Sequence, residues 1–447
     1  MPAKAQGWIC AGKAACYGAA MPLSAARIED KSICVGIIGL GYVGLPLSLA
    51  FAAAAVRVLG FDVDQSKIDQ LSAGRSYLEH IDDAAIAAAT TFEATTDFSR
   101  VAECDAVLIC VPTPLDAHLQ PDLHFIEDTA REIAPHLAAH TLVVLESTTW
   151  PGTTEEVLGP ILEAGGRRLG VDLLLAYSPE REDPGNPQFG TRSIPKLVGG
   201  SDPATTDLAV ALYQLAIEAV VPVSSTRVAE AAKLFENVFR SVNIALVNEL
   251  KMILDRLGID VGEVIDAAAT KPFGFMPFRP GPGLGGHCIP IDPYYLTWKA
   301  REVGITTRFI ELAGEINRSM PEWVVGKLAD CLNEQAKPIR GSRILVLGLA
   351  YKPDVGDMRE SPSLVLIEML EARGASVAYH DPYLPVIPPS RGHAALAGRT
   401  STEPSAEFDC FLLATNHRIY GPELLAHGVP IVDTRRILPE HPLVMRA

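Results

Sequence analysis

The segment Gly285-Gly286-His287-Cys288 holds the side chain of this sequence best suited to covalent chemistry. A free thiol is only about a few per cent thiolate at neutral pH, so a nucleophilic cysteine needs a nearby base, cation or helix N-terminus. Asp292 lies four residues further on and could orient a base or a water molecule. On this spacing alone a buried structural thiol is the commoner role for Cys288, and a structural role is expected for His287.

A lysine and an asparagine form the second group. Lys233 and Asn237 are four residues apart and therefore share one face of a helix. An ammonium and an amide that project together could stabilise an alkoxide or a tetrahedral oxyanion. Their spacing alone is also typical of a solvated helix face, which is the more frequent explanation of such a pair.

A glycine-rich hexapeptide indicates a dinucleotide site. Gly39-Leu40-Gly41-Tyr42-Val43-Gly44 follows a predicted strand, Ile33–Ile38, and precedes a predicted helix. Asp62 ends the next strand, at the offset of about 20 residues expected for a ribose-binding acid. A carboxylate there repels a 2′-phosphate, so NAD is favoured over NADP, although a plain turn with a surface aspartate is the alternative. Lys67 either contacts the adenosine side of the cofactor or lies on a solvated helix surface.

Further polar segments follow predicted strands. Residues 146–152, 177–186 and 348–354 lie at the carboxyl ends of apparent strands, where open α/β sheets bind their ligands. Lys352 in the last of them could bind phosphate. Arg359 and Arg435 are candidate phosphate or cofactor contacts.

The elements that must position these groups are visible as short apolar runs. The runs 33–38, 56–61, 106–111, 142–145 and 173–176 suit strands buried on both faces of a parallel sheet. Residues 226–257 contain neither glycine nor proline, which predicts a helix of about 48 Å at ~1.5 Å per residue. A helix of that length bridges domains or forms a subunit interface.

Strand and helix signals return after residue 340. The predicted strands are 343–347, 377–379, 410–414 and 431–432, with helices at 294–334 and 363–373. The expected fold is α/β, with two Rossmann-like doubly wound domains joined by a long central helix and a helical region. The expected domains are 1–30, a disordered extension; 31–218, the NAD domain; 219–335, the central helical domain; and 336–447, a second α/β domain.

Bulk properties narrow the function further. The formal net charge of −16 argues against a nucleic-acid partner, because phosphate backbones demand clustered Lys and Arg. The eight cysteines show no zinc-like spacing and suit a reducing compartment, so a cytoplasmic location without a metal is expected. No stretch reaches the roughly 20 apolar residues of a membrane span, and residues 1–30 lack the apolar core of a signal peptide.

Taken in order, these motifs resemble the UDP-glucose/UDP-N-acetylglucosamine 6-dehydrogenase family over residues 33–440. The resemblance implies an NAD domain, a helical centre used for dimerisation and a C-terminal UDP-binding domain. It makes Cys288 the nucleophile, with Lys233, Asn237 and Asp292 completing the site. A homodimer or higher homo-oligomer is therefore expected.

The resemblance also assigns acid–base residues and ligand contacts. Glu180 and Thr148 match positions that handle proton transfer and the catalytic water. The expected cofactor contacts are Gly39, Gly41, Tyr42, Val43, Gly44, Asp62, Lys67, Thr113, Arg359 and Arg435, and the expected substrate contacts are Glu180, Arg181, Lys233, Asn237, Gly285 and Lys352. Trp150 departs from the family pattern, in which tyrosine is common at that position.

The implied reaction is a four-electron oxidation of a UDP-sugar at C6. The alcohol becomes an aldehyde, Cys288 attacks it, Lys233 and Asn237 steady the oxyanion, and water hydrolyses the thioester that a second oxidation leaves. The segments 179–186 and 284–290 resemble the branch that acts on N-acetylated sugars. UDP-N-acetylglucosamine is therefore the expected substrate, ahead of UDP-glucose and the galacto and manno epimers, for the synthesis of a surface polysaccharide precursor.

Other functions remain open at this point. A hydroxyacid or 6-phosphogluconate type of dehydrogenase needs no cysteine nucleophile, so Cys288 in its glycine-rich loop argues against that class. A zinc alcohol dehydrogenase lacks a ligand set here. A non-catalytic UDP-sugar-binding protein would be expected to have lost Cys288, Lys233 or Asp292, and all three are present.

Overall fold

The computed structural model describes residues 22–78, 81–116, 118–182, 190–286, 288–390 and 392–447. Expectations for residues 1–21, for His287 and for the segment 183–186 lie outside the described residues.

The first domain is built on a parallel sheet with helices on both faces. Its strands are β1 (Cys34–Ile38), β2 (Arg57–Phe61), β3 (Phe92–Thr95), β4 (Ala106–Ile109), β5 (Thr141–Leu145), β6 (Leu173–Tyr177), β7 (Lys196–Gly200) and β8 (Val220–Pro222), in the order β3-β2-β1-β4-β5-β6-β7-β8. Its helices are α1 (Ala25–Glu29), α2 (Gly44–Ala53), α3 (Gln65–Ser72), α4 (Asp83–Ala88), α5 (His124–Ile133), α6 (Gly159–Glu163) and α7 (Pro203–Gln214), with a π-helical turn at Thr154–Leu158. Only the β6–β7 pair is antiparallel among the described strand pairs.

Burial explains which strands could be predicted. Every residue of β1, β4 and β5 is buried, which is why these strands are continuous apolar runs. The edge strand β3 is partly exposed, and β7 begins with a lysine and ends with two glycines. Those two strands lack the apolar signal and were not predicted.

The short helix α1 corrects one expectation. Residues 22–30 were expected to belong to a disordered extension, but Leu23 and Ile28 are buried in the core of the first domain. Arg27 pairs with Asp105 at 2.7 Å, at the start of β4. This part of the chain is therefore ordered and packed against the first domain.

Four helices form the centre of the molecule. They are α8 (Thr226–Arg256), α9 (Val261–Ala269), α10 (Asp292–Glu302) and α11 (Arg308–Asn333). The helix predicted over 294–334 is in fact two, because Gly304 takes a positive φ of 72° and ends α10. The long helix α8 has the predicted extent to within one residue and packs mainly against α11.

The C-terminal domain repeats the architecture of the first on a smaller scale. Its strands are β9 (Arg343–Leu347), β10 (Ser376–His380), β11 (Cys410–Leu413), β12 (Ile431–Asp433) and β13 (Val444–Arg446), all parallel in the order β10-β9-β11-β12-β13, with α12 at Pro362–Ala372. The expected fold class is confirmed. Among the described residues, no helix combines the length and apolar character needed to cross a membrane.

Candidate active site

The predicted site residues follow strands at their carboxyl ends or lie on the helices packed there. The glycine-rich turn follows β1, Asp62 follows β2, Thr113 follows β4, Thr148 follows β5 and Glu180 follows β6. Carboxyl ends of parallel strands meet at one edge of the sheet, so the sheet collects these groups.

The glycine-rich turn is shaped for close approach. A Cβ on Gly44 would lie 2.0 Å from the oxygen of Gly39, so only glycine allows α2 to start where it does. Gly39 itself has φ of 91°, in the region that favours glycine. Gly41, in contrast, has no atom within 4 Å of an added Cβ and leaves open space above the turn. The turn therefore leaves room for a pyrophosphate at the N-terminus of α2.

Asp62 is tied to this turn. Its Oδ2 accepts a hydrogen bond from Leu40 N at 3.0 Å and lies 2.8 Å from Lys67 Nζ. Asp62 is 6% exposed, so its carboxylate is held nearly buried at the turn. Lys67 is thus a partner of Asp62, and the pair fits the adenosine ribose of NAD.

An arginine of the C-terminal domain reaches the same turn. The Arg359 guanidinium lies 4.4 Å from the centre of the Tyr42 ring, within cation–π range. Asp357 holds the guanidinium through both of its oxygens, at 2.6–3.0 Å. The C-terminal domain therefore contacts the glycine-rich turn through Arg359, which stays a predicted cofactor contact.

The structure brings together Lys233, Asn237 and Asp292. Asn237 Nδ2 donates to Asp292 Oδ2 at 2.6 Å, and both side chains are buried. Burial raises the pKa of Asp292 to about 6, against the opposing effects of Lys233 and the Asn237 hydrogen bond. From spacing alone, Lys233 and Asn237 could not be distinguished from residues on a solvated helix face. In the structure both face inward, and Lys233 is only 6% exposed.

Cys288 lies one helical turn before Asp292. Asp292 N donates to the Cys288 carbonyl at 2.8 Å, which places the thiol at the entry to α10. Burial raises the pKa of Cys288, and the nearby positive charges of Lys233, Arg240 and Arg359 oppose that shift. Cys288 is partly exposed as a residue, and the three cations reduce the upward pKa shift of its thiol without reversing it.

Glu180 and Arg181 lie across from Lys233. Lys233 Nζ donates to the Glu180 carbonyl at 2.5 Å, so helix α8 is bonded to the end of β6. Arg181 forms a salt bridge with Glu236 of α8 at 2.6 Å. Its guanidinium is therefore partly engaged by the protein itself.

Two further predicted site residues, Thr113 and Thr148, lie in the loops after β4 and β5. Thr113 is 3% exposed, and the next residue, Pro114, accepts a hydrogen bond from the Tyr295 hydroxyl at 3.2 Å. Thr148 is half-buried in the loop that leaves β5.

The glycines before Cys288 serve the C-terminal domain. A Cβ on Gly285 would lie 2.6 Å from the Tyr351 Cβ, and one on Gly286 would lie 2.8 Å from the Tyr351 ring. We call residues 281–291, which precede α10 and carry Cys288, the cysteine loop. Its glycines let the loop that carries Tyr351 and Lys352 pack against it. Gly285, which the resemblance predicts to be a substrate contact, therefore also has this packing role.

A cavity of about 520 Å³ lies between the central helices and the C-terminal domain. Its cationic lining consists of Lys251, Arg279, Arg435, Arg436 and Arg446. Arg279, Arg436 and Arg446 each form salt bridges with carboxylates. Lys251 and Arg435 instead bond to carbonyl oxygens, those of Gly281 at 3.3 Å and Ala414 at 2.7 Å.

Burial in this cavity lowers the pKa of both Lys251 and Arg435. Burial and the charge of Arg435 lower the pKa of Lys251 to about 7, and burial lowers the pKa of Arg435 to about 10. Both side chains can donate hydrogen bonds to a ligand in the cavity. The structure also separates the two arginines that were grouped from sequence, since Arg359 contacts the glycine-rich turn and Arg435 lines this cavity.

Sequence reasoning missed two buried carboxylates near the site. Glu146 is 1% exposed and pairs with Lys196 of β7 at 2.6 Å, and Lys196 lies 3.9 Å from Glu180. Glu230 on α8 is fully buried and bonds to the loop after β5. Its position three residues before Lys233, on the same helix face, was the available signal for Glu230.

Three family models match most of the chain. They are the NAD-binding domain (residues 33–217), the central domain (227–319) and the UDP-binding domain (345–440) of the UDP-glucose/GDP-mannose dehydrogenase family. The NAD cofactor predicted from Asp62 is confirmed by the first of these.

Individual relatives agree with these matches. The chain is 38% identical to a UDP-N-acetyl-D-glucosamine 6-dehydrogenase of Pseudomonas aeruginosa over 79% of this chain and 84% of the relative. It is 37% identical to a UDP-N-acetyl-D-mannosamine dehydrogenase of Salmonella typhi over 75% and 82% of the two chains. The solved structure of a UDP-D-ManNAc dehydrogenase from Pyrococcus horikoshii has a TM-score of 0.83 and 30% identity, covering 93% of this chain and 99% of that one.

Proposed function

The chain belongs to the UDP-glucose/GDP-mannose dehydrogenase family and is an NAD-dependent nucleotide-sugar 6-dehydrogenase, and from this premise we propose that it oxidises UDP-N-acetylglucosamine to the uronate through Cys288. The observation that carries the proposal is the convergence of Cys288 with Lys233, Asn237 and Asp292 around the entry to α10. A simple alcohol dehydrogenase has no use for a thiol in that position.

The protein groups divide the chemistry between them. When bound at the glycine-rich turn, NAD supplies the hydride acceptor for both oxidations. The Cys288 thiolate adds to the C6 aldehyde, and the oxyanion that forms is stabilised by Lys233 Nζ and Asn237 Nδ2. In the last step the oxygen of water bonds to the thioester carbon, the carbon–sulfur bond breaks, and the electron pair returns to the Cys288 sulfur.

The proton of that water needs an acceptor. Asp292 is buried and touches Asn237, so its carboxylate can orient the water or take the proton. Glu180 and Thr148 are the other groups assigned to this step. General base catalysis of this kind contributes roughly 10²–10⁴ in rate.

The substrate runs along the cysteine loop in this proposal. Its sugar lies at Cys288, its pyrophosphate near Lys352, and its nucleoside at the cavity lined by Lys251 and Arg435. Support comes from the chain path, because Gly281 contacts Lys251 and Arg435 while Gly285 packs against Tyr351. Arg435 is accordingly a substrate contact here, not a cofactor contact.

The choice of sugar rests on relatives and on sequence. The Pseudomonas aeruginosa relative is named for UDP-N-acetyl-D-glucosamine and the Salmonella typhi relative for UDP-N-acetyl-D-mannosamine. Both sugars are N-acetylated, which supports this class over UDP-glucose. The manno epimer is the second candidate, favoured by the Pyrococcus horikoshii structure.

Stoichiometry tests the proposal. With excess NAD and limiting UDP-N-acetylglucosamine, we expect two NADH per sugar, and parallel assays with the manno epimer and UDP-glucose rank the substrates. Cys288→Ala should abolish uronate formation. Cys331→Ala removes a thiol buried in the C-terminal core and is the matched control, expected to keep two NADH per sugar. One NADH per sugar, or uronate from Cys288→Ala, would refute the proposal.

A further inference from the structure

The loop that carries Thr148 is fastened to α8 by one buried carboxylate. Glu230 Oε2 accepts from Gly152 N at 2.5 Å, and its Oε1 accepts from Thr154 N at 2.9 Å and from the Thr154 hydroxyl at 2.6 Å. The Glu230 side chain is 0% exposed. Three donors thus converge on one carboxylate, which alone among side chains has acceptor capacity at both ends and no donor of its own when ionised.

The opposite side of the loop packs against α10. The Trp150 ring lies 4.5 Å from Trp298 and 6.1 Å from Tyr295, centre to centre. Helix α10 begins at Asp292, next to Cys288. The loop is therefore held between the two helices that carry the rest of the site.

Helix geometry links Glu230 to the reacting groups. Glu230, Lys233 and Asn237 are three and four residues apart and share the buried face of α8. A bond from Glu230 to the loop therefore fixes the distance from Thr148 to Lys233 through one rigid helix.

Keeping this carboxylate is costly to the fold. Burial raises the pKa of Glu230 to about 7, despite the hydrogen bonds from Thr154 and Gly152. Glu155 and Tyr177, the titratable groups facing it, supply no positive charge. A group that only filled space here would be better served by an apolar side chain.

We propose that Glu230 is a positioning residue for thioester hydrolysis, which sets Thr148 against Lys233 so that water attacks the Cys288 thioester. The inference rests on the proposed function, in which Thr148 handles the catalytic water. The earlier hydride removals do not need Thr148 at that place, so the effect is confined to the last step.

The test is Glu230→Gln, which keeps the size of the side chain but replaces one acceptor with a donor. We expect NADH formation in the first turnover within about twofold of wild type. Steady-state turnover should fall by about 10–10²-fold, since a misplacement near 1 Å can cost that much. Acid quench followed by intact mass analysis should show a uronyl adduct accumulating on Cys288.

Two further variants complete the test. Glu132→Gln removes an exposed carboxylate on α5, away from the Glu230 contacts, and should behave as wild type. Thr154→Val removes only the hydroxyl donor to Glu230 and should give a smaller accumulation of adduct. It serves as the test if Glu230→Gln does not fold.

Unchanged turnover in the folded variants, or equal losses in the first turnover and at steady state without adduct, would overturn the inference. A different measurement, the NADH yield of the wild-type enzyme, tests the proposed function. A wild-type enzyme that yields one NADH per sugar contradicts the Cys288 chemistry itself, whatever the Glu230 variants do.

Discussion

At the scale of single residues, the site depends on carboxylates and thiols whose ionisation burial has altered. Cys288 and Asp292 are both disfavoured as anions by burial, and Lys233 opposes the effect on each. One lysine thus supports both a nucleophile and a candidate base. Lys233 Nζ bonds the carbonyl oxygen of Glu180. Among the described residues, no salt bridge pairs Lys233 with a carboxylate.

The ionisation of Asp292 predicts a pH limit on activity. Burial raises the pKa of this carboxyl to about 6, so its proton-accepting form declines as the pH falls from 7 to 5. We expect kcat with the UDP-sugar to fall through this window. Asp292→Asn should lower kcat by about 10²–10⁴ and remove that limb, while exposed Asp128→Asn should match wild type. A wild-type profile flat from pH 7 to 5 would contradict this assignment.

Lys251 gives a second prediction at this scale. Its pKa is lowered to about 7 in the folded protein, from the 10.5 that is usual for a lysine. The burial cost is therefore full below pH 7 and declines as the pH rises from 7 towards 10.5, where only the folded state has lost the proton. Lys251→Met should raise the Tm of the ligand-free protein most at pH 6–7 and little at pH 10.

The same variant tests the cavity as a nucleotide site. UDP should raise the Tm of wild type at pH 6–7 more than that of Lys251→Met, because the variant lacks the ammonium that would donate a hydrogen bond to the nucleoside. Lys31→Met, which removes an exposed lysine bonded to the Ala54 carbonyl, is the control. Equal UDP shifts in all three proteins would place the nucleoside elsewhere.

At the scale of elements, α8 and the cysteine loop position the site. Buried polar residues of α8 bind a different partner at each turn: Glu230 the loop after β5, Lys233 the end of β6, and Asn237 the start of α10. Further along, Asn248 accepts from Gly281 N at 3.0 Å and so anchors the cysteine loop. A helix without glycine or proline suits this task because its residues keep fixed spacing.

The cysteine loop predicts a selective effect of Gly285→Ala. The new Cβ would lie 2.6 Å from the Tyr351 Cβ and 3.2 Å from the Glu360 carbonyl, so the loop carrying Lys352 must move. We expect KM for the UDP-sugar to rise about tenfold or more, with a smaller change in KM for NAD. Gly326→Ala, in open space on α11, should leave both constants unchanged. Equal changes in both KM values would point to general misfolding instead.

At the scale of the whole molecule, the two α/β domains share one construction. In the first domain Asp62 bonds Leu40 N, and in the second Asp381 Oδ2 bonds Leu349 N at 2.7 Å. Asp381 is also engaged by His417 at 3.0 Å and is 1% exposed. In the second domain, Asp381 is therefore engaged by its own loop and by His417. This suits a domain that binds a UDP-sugar and not a dinucleotide.

The outer face of α8 predicts a dimer. Phe235, Phe239, Leu246, Ile253 and Leu257 are exposed by 40–69% and recur at intervals of four and seven residues, as on a helix that packs against another. We propose that a second copy covers this apolar stripe. Its area lies on the face opposite the polar residues that hold the site.

Substitution in the stripe tests this assembly. Leu246→Lys should convert a dimer to a monomer in size-exclusion chromatography with light scattering, because a charge would be buried between apolar side chains. Val171→Lys, at a position of the same 59% exposure but away from α8, should stay dimeric. A wild-type protein that is monomeric at all concentrations, or a dimeric Leu246→Lys, would exclude the stripe as the interface.

The sequence alone determined much of the fold. Strands buried on both faces appear in the sequence as apolar runs, so both α/β domains were predictable. The long helix was predictable because the 31 residues of α8 contain no glycine or proline. The turn Gly39–Gly44 and Asp62 were predictable because their chemistry depends on residues close together in sequence. Edge strands such as β3 and the break at Gly304 were not, since exposed strands lack the apolar signal and one glycine inside a helical pattern is often tolerated.

Only the tertiary structure decided which polar residues work together. Glu230 and Gly152 are 78 residues apart in sequence, and Asn237 and Asp292 are 55 apart, so no local pattern could reveal either bond. The same holds for Lys251 and Arg435, whose charges meet across the domain boundary. Local spacing sets which side chains share a face, but the packing of distant segments sets their partners, their burial and hence their pKa.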